Sequence, residues 1–106
     1  REKTLIMNSS ETTETSFRLP GNLTLQHAAK LSVMEDRPIM LDYWSASVES
    51  NIIIGVKDDG EKLLVKSEDE YTSPINKIFK VEKEYIIMTE NSIYIVDTNC
   101  QTKRIS

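Results

Sequence analysis

Residues 75–96 read INKIFKVEKEYIIMTENSIYIV. Three apolar runs, Ile75–Val81, Glu84–Thr89 and Ser92–Val96, are separated by Glu82-Lys83 and by Glu90-Asn91. Two-residue connections leave room only for antiparallel neighbours, because a parallel return needs a dozen or more residues. Along each run successive side chains point to opposite faces. Phe79 and Val81 alternate with Ile78, Tyr85 and Ile87 with Ile86 and Met88, and Ile93 and Ile95 with Tyr94 and Val96. A sheet with one wet face shows polar residues at every second position. These strands show apolar residues on both sides.

Upstream, Ile39–Trp44, Asn51–Lys57 and Glu61–Lys66 have the same β-branched and aromatic character, and Asp58-Asp59-Gly60 marks a tight hairpin. One face is expected to take Ile39, Leu41, Tyr43, Ile52, Ile54, Val56, Leu63 and Val65. The other takes Met40, Trp44, Ile53 and Leu64. The polar stretch Ser67–Pro74 reads as a loop or corner. Before the strands, Leu25, Ala28, Ala29 and Ser32 recur at helical spacing. A helix over Asn22–Glu35 follows, capped by Asn22 or Thr24 and ended ahead of Pro38, with Ala28-Ala29 admitting close approach of another element.

The first 20 residues differ in kind. Asn8–Ser16 contains no apolar residue, so it gains nothing from burial to offset ordering. Residues 1–20 are expected to be a flexible arm or linker, with Leu5–Met7 able to add as an edge strand and Phe17 and Leu19 as an anchor. Residues 21–106 form a single helix-plus-strand domain. The expected class is α+β: one N-terminal helix followed by an antiparallel meander of about six strands, as a strongly curved sheet or small barrel.

Composition limits function. The 106 residues include 13 Lys and Arg against 17 Asp and Glu, a net charge of −4. That argues against a non-specific nucleic-acid coat, which needs a basic surface. One cysteine, Cys100, and one histidine, His27, cannot supply a disulfide framework or a two-histidine metal motif. Three glycines write neither a P-loop nor a dinucleotide fingerprint. No run of 18 apolar residues is present, so no membrane span is expected, and no basic start precedes an apolar run as in a signal peptide. Asn8-Ser9-Ser10 and Asn22-Leu23-Thr24 match the N-glycosylation pattern with no secretory signal beside them.

His27 reads as a surface or half-buried helix residue and Cys100 as an inert thiol. Asp58-Asp59-Gly60-Glu61 lacks the alternating oxygen ligands of a calcium loop. Glu68-Asp69-Glu70 reads as a solvated loop. Lys77, Lys80 and Lys83, and Lys57, Lys62 and Lys66, lie among acids as a mixed surface. Neither catalytic residues, nor a metal site, nor a cofactor is expected.

The second apolar face then has three accounts: closure into a barrel, partial cover by the arm opposite the helix, or burial by another chain. The third makes the chain a non-enzymatic interaction or structural module, with Trp44, Tyr43, Met40, Ile53, Leu64 and Tyr71 as partner-binding residues. The partner would be another protein or a second copy. The alternative is a nucleic-acid-binding small barrel. A small hydrolase using His27 is a third reading.

The phrases Arg37–Trp44, Gly60–Ile75 and Glu84–Val96 resemble short proteins of large DNA viruses that infect protists and algae. The resemblance covers about Leu25 to Ser106. It implies a viral accessory or virion component, in an intracellular or virion setting, and brings no functional residue with it.

Overall fold

The computed structural model describes residues 18–105; the expected edge strand at Leu5–Met7, the polar stretch Asn8–Ser16 and the Phe17 anchor lie outside them. Helix α1 spans Asn22–Glu35. Its inward stripe is Thr24 and Ala28, both fully buried, with Leu25 and Leu31 half-buried beside them. Ala29 stays exposed, so only Ala28 serves close approach. Neither Asn22 nor Thr24 is the cap. Gly21 takes that position without a side-chain bond. The acceptor comes from elsewhere: the buried Glu84 carboxylate receives the Thr24 hydroxyl at 2.5 Å and the Gly21 N–H at 3.4 Å. An anion at this end suits the unpaired amides of the first turn. The helix stops where Asp36 turns left-handed (φ 55°) and its N–H bonds back to Ser32.

Eight strands follow. They are β1 (Ile39–Met40), β2 (Ile53–Val56), β3 (Lys62–Ser67), β4 (Glu70–Tyr71), β5 (Ile75–Val81), β6 (Glu84–Thr89), β7 (Ile93–Asp97) and β8 (Gln101–Arg104). A short helix α2 (Trp44–Val48) sits between β1 and β2. The strands form two sheets, ordered β8-β2-β3-β4 and β1-β7-β6-β5.

This corrects the expected meander in three ways. There are two sheets, and they do not close into a barrel. Both are mixed, because β1 runs parallel to β7 and β8 parallel to β2. The short-loop argument holds for β2-β3, β3-β4, β5-β6 and β6-β7, all antiparallel. It says nothing about partners far apart in sequence, and both parallel pairings are of that kind. Finally, the strand expected over Ile39–Trp44 ends at Met40. Asp42 and Tyr43 turn the chain, and Ser45-Ala46-Ser47, with no β-branched side chain, continues as helix.

The layers explain the doubly apolar strands. Against α1, the second sheet buries Ile86, Met88, Ile93 and Ile95 together with Ala28 and Trp44. Against the first sheet it presents Ile87 and Val96, which pack with Tyr43, Ile52, Ile54, Leu64 and Cys100. The order is helix, sheet, sheet, and β6 and β7 lie in the middle layer. Their second face is therefore buried by the chain itself, not by a partner.

Register settles the outer layer. Ile54 pairs with Leu64, and Ile53 with Val65. Directly opposed residues share a face, so Ile54 and Leu64 go inward while Ile53, Leu63 and Val65 go outward. The expected grouping of Ile54 with Leu63 and Val65 is one residue out of step. Such a slip exchanges the two faces completely.

Candidate interaction surface

The outer face of the β8-β2-β3-β4 sheet is built by every second residue of four strands. Ile53, Val65 and Tyr71 form one cross-strand row through β2, β3 and β4. Gly55 and Leu63 make the next row. Beyond β8, Ile105 folds back over this face. Its N–H donates to the Val56 carbonyl at 2.9 Å, and its Cδ1 lies 2.6 Å from where a Cβ on Gly55 would stand. Gly55 is thus the residue that lets Ile105 lie flat on the sheet.

Between Ile105 and the chain leaving β4 runs an open groove of about 810 Å3. Leu63 and Val65 are its floor, Tyr71, Thr72 and Pro74 one wall, and Lys57 and Ile105 the other. Tyr71 is 60% exposed. The wall is held rigidly: Thr72 exchanges backbone and hydroxyl bonds with Leu64 (2.9 and 3.1 Å), and its hydroxyl donates to Ser73. Exposed ion pairs rim the face, Lys57 with Glu61 and Arg104 with Asp58, both at 3.5 Å. Such pairs contribute little to stability.

The six residues expected to meet a partner divide. Ile53 and Tyr71 fall on this one face. Met40 lies apart on β1, 37% exposed. Tyr43, Trp44 and Leu64 are buried inside the chain, which corrects their assignment to a partner surface. Trp44 packs under α1, and its Nε1 donates to the Arg18 carbonyl at 2.7 Å. The Arg18 guanidinium lies over the Trp44 ring and pairs with buried Asp97. Arg18 thereby holds the start of the described chain, while Leu19, the expected anchor, is 74% exposed. Tyr43 meets Tyr94 edge to face at 5.3 Å. Burial, then the Glu70 charge, pushes the Tyr43 phenol up to about 12; burial also raises Tyr94.

Leu63, Val65 and Ile105 are the contributors that the sequence reading missed. The first two were placed on the wrong face by the register slip, and β8, which leads to Ile105, is not among the expected strands. The three-residue length of the Asp58–Gly60 connection, which sets Lys57 opposite Glu61, was the signal available.

Burial raises the Cys100 thiol, which sits in the inter-sheet core. Asp59 accepts the Glu61 N–H at 3.0 Å and Gly60 takes φ 92°, as a tight turn requires. His27 lines a groove beside β5 with no carboxylate among its lining residues. Among the described residues no cluster of His, Cys, Asp and Glu could hold a metal, and no helix is long and apolar enough to cross a membrane. No family model, curated protein or solved structure matches this chain.

Proposed function

We propose that the chain is a non-enzymatic interaction module, a subunit or accessory component of a larger assembly, which docks through the outer face of the β8-β2-β3-β4 sheet. The viral resemblance makes a virion or another viral assembly the setting. The observation that supports this most is the row Ile53–Val65–Tyr71, apolar across three strands and roofed by no helix or strand among the described residues. Apolar faces of this kind on small domains mark partner sites. The nucleic-acid alternative assumed a closed barrel, and the two sheets do not form one.

A photo-crosslinking amino acid at Tyr71, with the same group at exposed Glu35 as control, tests the proposal in cells that naturally make the chain. A discrete adduct from position 71 alone supports docking at this face. Identical adducts from both positions, or none from either, count against it.

A further inference from the structure

Among the described residues, β5 ends the second sheet with one side unpaired. Its other side is matched to β6 without interruption from Lys77↔Met88 to Val81↔Glu84. In a hairpin closed by two residues, here Glu82-Lys83, the flanking pair exchanges both backbone bonds, and exchange recurs at every second pair. The N–H and C=O groups of Ile78 and Lys80 therefore point away from β6, at the free edge.

Apolar side chains stand beside those groups. Register places Ile78 with Ile87, on the face toward the first sheet, and Phe79 with Ile86, on the helix face. They are 37% and 36% exposed. Phe79 opens onto a groove of about 320 Å3 between α1 and β5, walled on the helix side by His27, Lys30, Leu31 and Met34.

Charge discriminates among occupants. Lys30, Lys77, Lys80 and Lys83 surround this edge against Glu82, on a chain whose net charge is −4. None of the four lysines forms an ion pair among the described residues. Two copies of β5 laid edge to edge would set lysine against lysine, the usual guard against self-pairing. An acidic strand meets the opposite condition. Nucleic acid shares the negative charge, but it cannot continue the backbone ladder and finds one exposed ring here.

We infer that β5 is a docking edge for an extended acidic segment of another protein, which adds as a strand beside Ile78–Lys80 and lowers one apolar side chain into the groove at Phe79 and Met34. Main-chain pairing supplies affinity and the groove supplies selection, as in strand addition generally. The surface is separate from the groove over β3.

Fluorescence anisotropy with a labelled Glu-Val-Glu-Leu-Glu-Val peptide at low salt tests this. Saturable binding is expected, weakened about tenfold by Lys77→Glu with Lys80→Glu. Ile78→Pro removes an outward N–H and leaves the β6 pairing intact, so it is expected to weaken binding by about tenfold as well. A peptide N-methylated at every amide keeps the charges and cannot donate to a ladder. Its failure to bind supports strand addition and does not depend on any variant folding. Lys62→Glu, an exposed charge reversal on the other sheet, leaves binding unchanged. The inference is overturned if the acidic peptide does not bind, or if the N-methylated or an all-lysine counterpart binds equally. Single-stranded oligo(dT) bound at this edge in place of the peptide also overturns it.

Discussion

Ile86→Ala and Ile87→Ala change adjacent residues of β6 that face opposite ways, one toward α1 and one toward the first sheet. Both side chains are fully buried. Truncating a buried isoleucine removes its transfer free energy and leaves a cavity, about 2–5 kcal/mol in all. With no exposure to begin with, each variant is expected to lose about 3–4 kcal/mol. Val65→Ala, on the half-buried outer face, should lose about 1 kcal/mol or less. Urea denaturation followed by tyrosine and tryptophan fluorescence reads all three. In thermal scans about 3 kcal/mol corresponds to roughly 12–24 °C for a domain of this size. Ile87→Val, costing about 1 kcal/mol, gives the same comparison if the alanine variant is too unstable to handle. If Ile87→Ala costs under about 1 kcal/mol while Ile86→Ala costs its full amount, the sheets are not packed face to face. The three-layer account would then be refuted.

Three further outcomes are expected. The folded state keeps Tyr43 neutral up to about pH 12, whereas an unfolded tyrosine ionises near 10, so stability is complete below pH 10 and falls between 10 and 12; Tyr43→Phe should flatten that fall, by about 2–3 kcal/mol at most, in denaturation curves taken across this range. Gly55→Ala drives a Cβ into Ile105 and, at 3.1 Å, into Val65, so the variant should lose about 1 kcal/mol, and Ile105→Ala in the same chain should remove most of that cost in a double-mutant cycle. Trp44→Phe deletes the donor to the Arg18 carbonyl and is expected to cost about 1–2 kcal/mol, with faster proteolysis at Arg18 as the specific readout.

What the sequence made legible was local. The helix over Asn22–Glu35 and the strands Ile75–Val81 and Glu84–Thr89 have the bounds expected from periodicity, proline and two-residue turns. The doubly apolar character of the later strands was also readable, and in β6 and β7 it does reflect burial on both sides, whereas in β5 Ile78 and Phe79 stay exposed. What covers the second face was not readable, because it depends on how distant segments pair. Ile39-Met40 beside Ile93-Tyr94, and Gln101–Arg104 beside Ile53–Val56, are parallel contacts that no turn announces. Gln101–Arg104 is also polar and wholly exposed, so nothing in its composition marks a strand. The candidate surface suffered from the same cause at shorter range. Ile53 and Tyr71 were recognised, but Val65 between them was assigned to the opposite face by one step of register. Tyr43 and Trp44, at the end of the strand expected over Ile39–Trp44, were expected to meet a partner. They instead turn a corner that sends one ring into each core.

The two parallel pairings also bear on when the molecule can assemble during synthesis. β1 leaves the ribosome early but has no neighbour until β7 appears more than fifty residues later, and β2 lacks β8 for about as long. The β5-β6-β7 run can form as soon as it emerges, being contiguous. Each sheet is therefore completed only after its distant strand has been made, and a nascent chain halted before Gln101 would display the unsatisfied backbone of β2 to whatever protein stands nearest.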